Sequence, residues 1–140
     1  MTEHHPITSV SLSHDNRYVL ANLAFEELHV WNLETQQLEA TYKGRQQGRF
    51  VIRSCFGGLN QNFVVSGSEG LFASEWTSVG GGRTEKERST DRKVYIWEAH
   101  HPEAPVQVLV GHTATVNAVA WHPKDARMLA SASDDHTIRM

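Results

Sequence analysis

Nine histidines in 140 residues invite a search for a metal centre. His112, His122 and Asp135 are side chains of the types that hold zinc, and His4-His5 and His100-His101, the latter beside Glu98 and Glu103, add paired imidazoles. A zinc site on regular structure needs ligands that return to one face, which HxxxH or Cys-pair spacing achieves. Neither spacing occurs, and adjacent histidines on a strand point to opposite faces. These histidines therefore read as loop residues, with a metal-dependent enzyme kept as an alternative. Ser11, His14 and Asp15 are near one another in sequence, but no nucleophile elbow surrounds the serine. Gly80-Gly81-Gly82-Arg83 lacks the Lys-Ser/Thr that completes a phosphate loop. Cys55 lies within the apolar run FVIRSCF and reads as a small buried hydrophobe rather than a reactive thiol. No catalytic, cofactor-binding or metal-binding residue is assigned. The candidate for a partner surface is the basic group Lys43, Arg45, Arg49 and Arg53, against the alternative of scattered solvated charges. Arg45 would be hard to bury without partners.

The elements that must position these residues are short strands. Ile7–Leu12 (ITSVSL) alternates apolar and hydroxyl side chains, as a half-buried strand does, and His14-Asp15-Asn16 is a turn. Tyr18–Leu23, residues 28–31 and Leu38–Tyr42 continue the series, with a turn at Thr35-Gln36. A second set runs through residues 50–56, 63–68, 93–97 and 106–110. Between its second and third members, residues 70–90 sustain neither period two nor a helical period, and they hold three consecutive glycines and a charge run.

The charge balance is 13 basic against 16 acidic residues, net -3, so neither nucleic acid nor an acidic membrane surface is indicated. One cysteine excludes an internal disulfide and fits a reducing compartment. No secretory signal or membrane span is recognisable, and the expected location is the cytoplasm, the nucleus or both.

Residues 111–140, GHTATVNAVAWHPKDARMLASASDDHTIRM, join a Gly-His pair, a small and apolar strand, a Pro turn, a Ser-Ala-Ser run and an Asp pair. That order resembles a WD40 repeat, whose period of about 40–45 residues builds one four-stranded blade of a β-propeller. Trp31 and Trp97 are 66 residues apart, and removing the 21 residues 70–90 leaves 45, one blade. The removal also joins Ser66-Gly67-Ser68-Glu69 to Asp91, matching Ser131-Ala132-Ser133-Asp134-Asp135. On this spacing the next repeat Trp is expected at about 141–142, just past Met140. The insertion is either a surface loop or a retained intron, the latter requiring a GGT codon at Gly70 and ACA at Thr90.

The resemblance implies an all-β, partial WD40 propeller of about three antiparallel four-stranded blades, the last incomplete: residues 1–43, 44–110 with the inserted loop 70–90, and 111–140. It also implies a buried network joining the Gly-His imidazole, a strand hydroxyl, a turn Asp and a strand Trp. His112, Ser131 (or Ser133) and Asp135 match in the last unit. In the middle unit Ser66, Asp91 and Trp97 match, but Gly44-Arg45 replaces the Gly-His. The first unit keeps only Trp31, with Phe25 where the Asp would stand.

A narrower resemblance covers almost all of residues 7–139 except the insertion. RFVIRSCFGGLNQNFVVSGSE, DRKVYIW, VGHTATVNAVAWHP and LASASDDHTIR are similar to the WD-repeat subunits of GID/CTLH-type ubiquitin ligases, with Ser54-Cys55-Phe56-Gly57-Gly58 and residues 93–97 the most distinctive parts. That family implies a non-catalytic scaffold or adaptor without cofactors. Its partners would be other ligase subunits and protein substrates bound for proteasomal degradation, with no nucleic acid and no membrane. Full-length members are expected to self-associate through LisH and CTLH helical modules, which have no counterpart in these residues. A WD40 interaction module of an unrelated complex is the alternative within the fold.

Overall fold

The computed structural model describes residues 1–48, 50–70, 74–79, 82–87 and 91–140, with 74–79 and 82–87 described by their backbone alone. The first sheet is a meander in the order β1 (Ile7–Leu12), β2 (Tyr18–Leu23), β3 (Leu28–Asn32) and β4 (Leu38–Tyr42), each strand antiparallel to the next. Its turns follow from local side chains. Asp15 Oδ1 accepts from the Ser13 hydroxyl at 2.6 Å and from the Arg17 amide at 3.1 Å, and Asn16 takes the left-handed φ of 57° that asparagine tolerates. Asn32 Oδ1 likewise accepts from the amides of Glu34 and Thr35, closing the turn before β4.

The second sheet contains β5 (Cys55–Gly57) and β6 (Phe63–Ser66), then skips to β9 (Val94–Glu98) and β10 (Gln107–Leu109). The strands β7 (Ser74–Val79) and β8 (Gly82–Glu87) lie within the insertion and, among the described residues, pair with each other alone, so it carries two antiparallel strands where the sequence pattern suggested irregular chain. The insertion leaves the blade ladder intact, since β6 pairs with β9 from Phe63↔Glu98 to Ser66↔Tyr95. The third sheet has β11 (Val116–Trp121), β12 (Leu129–Ser133) and β13 (Ile138–Arg139).

Two strands are shorter than their apolar runs. The stretch 50–56 reads as one strand, yet only β5 pairs within its sheet. The segment before it works between sheets: Ser9 Oγ donates to Ile52 O at 2.8 Å, Arg53 N donates to Asn117 O at 2.8 Å, and Arg53 forms a parallel bridge with Ala118. Likewise β6 stops at Ser66. A Cβ on Gly67 would sit 2.1 Å from Val116 O, so the backbones of two sheets touch there and only glycine fits.

The three sheets stack face to face around two cores. Leu20, Leu28, Val30 and Tyr42 of the first sheet meet Val64, Tyr95 and Trp97 of the second, while Val65, Val94 and Ile96 meet Val116 and Val119 of the third. The period-two geometry of a strand explains the split: Val64, Tyr95 and Trp97 point one way, Val65, Val94 and Ile96 the other. Burial on both faces is why β9 reads as the unbroken apolar run VYIW. At the second core Phe63 stacks on Trp121 with centroids 5.6 Å apart, and a Cβ on Gly57 would fall 2.3 Å from the Trp121 ring.

Candidate functional site: buried networks and rim residues

His112 stands just before β11 and is buried. Its Nδ1 lies 2.8 Å from Asp135 Oδ2 and its Nε2 lies 2.9 Å from Ser131 Oγ. An ionised carboxylate only accepts, so the proton belongs on Nδ1, and the Ser131 hydroxyl then donates to Nε2. Asp135, in the turn after β12, is held by further donors: the Thr137 hydroxyl at 2.6 Å, the Thr113 amide at 2.9 Å and the Thr137 amide at 2.9 Å. The Thr137 hydroxyl first, with these amides and His112, holds the Asp135 carboxyl well below the usual range against the opposing effect of desolvation. Ser133 serves the same turn, accepting from the Asp135 amide at 3.2 Å and donating to Ala114 O at 3.1 Å. Ser, His and Asp thus stand in the order of a hydrolytic triad. Ser131, however, is buried in mid-strand, paired with Val119 and Arg139, where a nucleophile would have no exposed turn to present it. The arrangement ties the start of one strand to the end of the next.

In the middle unit Ser66, Asp91 and Trp97 do not form one network. Asp91 Oδ2 accepts from the Tyr95 hydroxyl at 2.5 Å and its Oδ1 faces Lys93 Nζ at 3.2 Å. Burial and the Asp91 carboxylate together push the Tyr95 phenol above its ordinary range. Trp97 is fully buried and its indole N–H has no partner among the described residues. Ser66 Oγ lies 2.8 Å from Ser54 Oγ, which lies 2.7 Å from Asn22 Oδ1. Asn22 Nδ2 donates to Thr8 Oγ1 at 2.9 Å and to Gln47 Oε1 at 2.7 Å. Arg45, only 1% exposed, completes the set by donating Nη1 to Gln47 Oε1 and Nη2 to Glu27 O at 3.2 Å.

The physical cause of this rearrangement is Arg45 itself. A guanidinium is longer than an imidazole and can only donate, so it draws in acceptors such as Gln47 and two main-chain carbonyls in place of an Asp-Ser pair. Its burial draws the Arg45 pKa down to about 10. Arg45 therefore leaves the candidate partner surface: it is an interior residue whose two Nη groups find partners the sequence did not reveal, while its Nε has none among the described residues. Lys43 is exposed and pairs with Glu27 at 2.7 Å. Arg53 is exposed beside Phe50 and Val51, and Arg49 lies outside the described residues. The four basic residues do not make one described patch.

The first unit has its own substitute. Glu3 accepts from the Trp31 indole N–H, and both Glu3 oxygens lie 2.9 Å from His29 Nδ1, while Glu27 Oε2 lies 3.1 Å from His29 Nε2. A carboxylate contributed from the N-terminal segment thus takes the indole that a turn Asp does not serve. Nothing in the local pattern of MTEHHP signalled this. Asn22 and its neighbours left a trace: a polar side chain in the buried run YVLANL had to find partners.

The remaining chemical candidates are dispersed. His122 Nδ1 accepts from the amides of Lys124 and Asp125 at 3.2 and 2.9 Å, a local turn far in role from His112. Among the described residues no group of three or more His, Cys, Asp or Glu is gathered as a metal site would require. Asp15 bonds Ser13 rather than Ser11, and burial pushes the Cys55 thiol up. Gly80 and Gly81 lie outside the described residues.

Residues 103–140 match the family described as WD domain, G-beta repeat. That segment contains the whole His112, Ser131 and Asp135 network. The chain is built from WD40 repeats. It is 42% identical over its full length to the WD repeat-containing protein WDS homolog of Arabidopsis thaliana, covering 23% of that protein. It is 39% identical, again over its full length, to the WD repeat-containing protein 26 homolog of Drosophila melanogaster, covering 19% of it. GID complex subunit 7 of Schizosaccharomyces pombe is 36% identical over 96% of the chain, which covers 22% of that relative. The chain thus spans about a fifth of the length of these relatives. The WD40 architecture accounts for the sheets: two of four strands and one of three, stacked as neighbouring blades of a partial propeller. Within it the third blade carries the repeat's His-Ser-Asp geometry, the second replaces it with Arg45 and Gln47, and the first with Glu3.

Proposed function

We propose that the protein is a non-catalytic scaffold or adaptor of a GID/CTLH-type ubiquitin ligase, acting in the cytoplasm or nucleus to hold ligase subunits and bring protein substrates for ubiquitin-dependent degradation. The observation that carries this reading is the 36% identity to GID complex subunit 7 across 96% of the chain, since it spans all three blades rather than one generic repeat. The structure is compatible with it: His112, Ser131 and Asp135 are tied to one another by hydrogen bonds within one sheet, and Arg45 is buried. Similarity at 28% to a Denticleless protein homolog of Homo sapiens supports the second reading, an adaptor of a different complex. Affinity purification of the endogenously tagged protein separates the two. Co-purification of the RING-bearing ligase subunits is the expected result, and a different stable complex without them would refute the proposal.

A further inference from the structure

Between the first two sheets, at the end formed by the turns after β1 and β5 and the turn after β9, the blades splay into a cleft of about 300 Å³. Its floor is the outer end of the first core, with Val30 and Tyr42 buried and Tyr18 and Phe56 only half-buried. Its walls are pinned. The Tyr42 hydroxyl donates to Ala99 O at 2.8 Å, the Ala99 amide donates to Asn62 O at 2.7 Å, and the His14 amide donates to Gln61 Oε1 at 2.8 Å. The space therefore exists before anything enters it.

Two carboxylates stand on the exposed rim. Asp15 uses Oδ1 for Ser13 and the Arg17 amide, and Glu39 uses Oε1 for Asn32 Nδ2 at 2.9 Å. The Ser13 hydroxyl and the Arg17 amide hold the Asp15 carboxyl below its usual range, so it is ionised at neutral pH. The cleft lining contains no Lys or Arg, and His100 is its one ionisable base.

We propose that this cleft receives the side chain of an arginine from an extended segment of a partner protein. A floor of aromatic and apolar side chains with an anionic rim asks for a group that is flat and stackable along its plane yet cationic and rich in donors at its edge, which describes a guanidinium on its methylene stem. A volume at the low end of ligand pockets suits one long side chain and excludes a folded element. An acidic side chain would be repelled by the rim, and a purely apolar one would strip water from the carboxylates without pairing them. The inference does not depend on which complex the protein joins.

The test is titration of the 140-residue chain, followed by backbone amide NMR at low ionic strength, with acetylated and amidated Gly-Leu-Arg-Leu-Gly and its citrulline, lysine and glutamate counterparts. Citrulline keeps the shape of arginine without its charge. The arginine peptide should shift the amides of Ala40, Phe56 and Ala99, and should bind at least about tenfold more tightly than the citrulline and glutamate peptides and measurably more tightly than lysine. Asp15→Asn combined with Glu39→Gln should bring arginine down to the citrulline level. Glu39→Lys alone, which leaves the Asp15 turn untouched, should abolish the preference. Equal binding of arginine and citrulline, equal binding of lysine, undiminished binding to the variants, shifts confined to another surface, or no saturable binding would each overturn the proposal.

Discussion

Replacing Arg45 with methionine tests whether its buried guanidinium stabilises the protein or is merely accommodated. Its side chain is 1% exposed and burial draws its pKa down to about 10 from an ordinary 12.5, a difference worth on the order of 3 kcal/mol against the charged form. Set against that are donations to Gln47 Oε1 and Glu27 O, with Leu23 O at the limiting distance of 3.5 Å. Hydrogen bonds from a charged donor contribute about 1.5–3 kcal/mol each. The Nε proton has no partner among the described residues and adds a desolvation cost of its own. The two sides nearly cancel. Methionine keeps the stem and its packing, and Gln47 Oε1 keeps the Asn22 amide as its donor. Arg45→Met should therefore change stability by less than about 1 kcal/mol, whereas Arg45→Ala, which also empties the volume of the stem, should cost about 2–4 kcal/mol. Urea unfolding followed by tryptophan fluorescence measures both. A loss above about 3 kcal/mol for Arg45→Met, with an unchanged urea slope, would show that the charge is a net brace and refute this reasoning.

Other consequences are open to direct measurement. Asp135 has a depressed folded pKa, so its contribution is fully present above its ordinary value of 3.8 and is lost as pH falls below that toward the folded value. Asp135→Asn should therefore melt lower than wild type at pH 7, with the gap closing below about pH 4; a gap independent of pH would count against the carboxylate's role. Gly57→Ala places a methyl 2.3 Å from the Trp121 ring and should cost about 1–3 kcal/mol, with a shift in tryptophan emission. Deleting residues 71–90 should move the melting temperature by no more than a few degrees, because among the described residues β7 and β8 pair with each other alone and loop length enters stability logarithmically. A collapse of the β6–β9 pairing on deletion, read from amide exchange, would contradict that.

The strands and their order were legible because their signals are local: alternating β-branched residues, turn residues at His14-Asp15-Asn16 and Thr35-Gln36, and a 45-residue spacing once the insertion is set aside. The long apolar stretch 50–56 misled because hydrophobicity reports burial, not the partner. Ile52 is wholly buried, but between sheets and outside the ladder. The third-unit grouping of His112, Ser131 and Asp135 could be named from the resemblance to a WD40 repeat. The second and first units could not be read that way, because Arg45 recruits Gln47 and main-chain carbonyls, and Trp31 recruits Glu3 from 28 residues away. Such partners depend on which acceptor lies within reach after folding, and sequence distance holds no record of it. The same limit separated Arg45 from the basic residues with which it is grouped along the chain.

The middle sheet, apolar on both faces, has a consequence for how the chain melts. It is the shared wall of both cores, so each outer sheet has one neighbour and the middle sheet has two, as in a short one-dimensional array with nearest-neighbour coupling. Either outer sheet can detach and leave one core intact, but the middle one cannot open without dissolving both. The slowest-exchanging amides should accordingly fall on β6 and β9, with protection declining outward in both directions. The insertion between these two strands therefore interrupts the chain at the most protected pair of strands while adding nothing to the pairing that protects them.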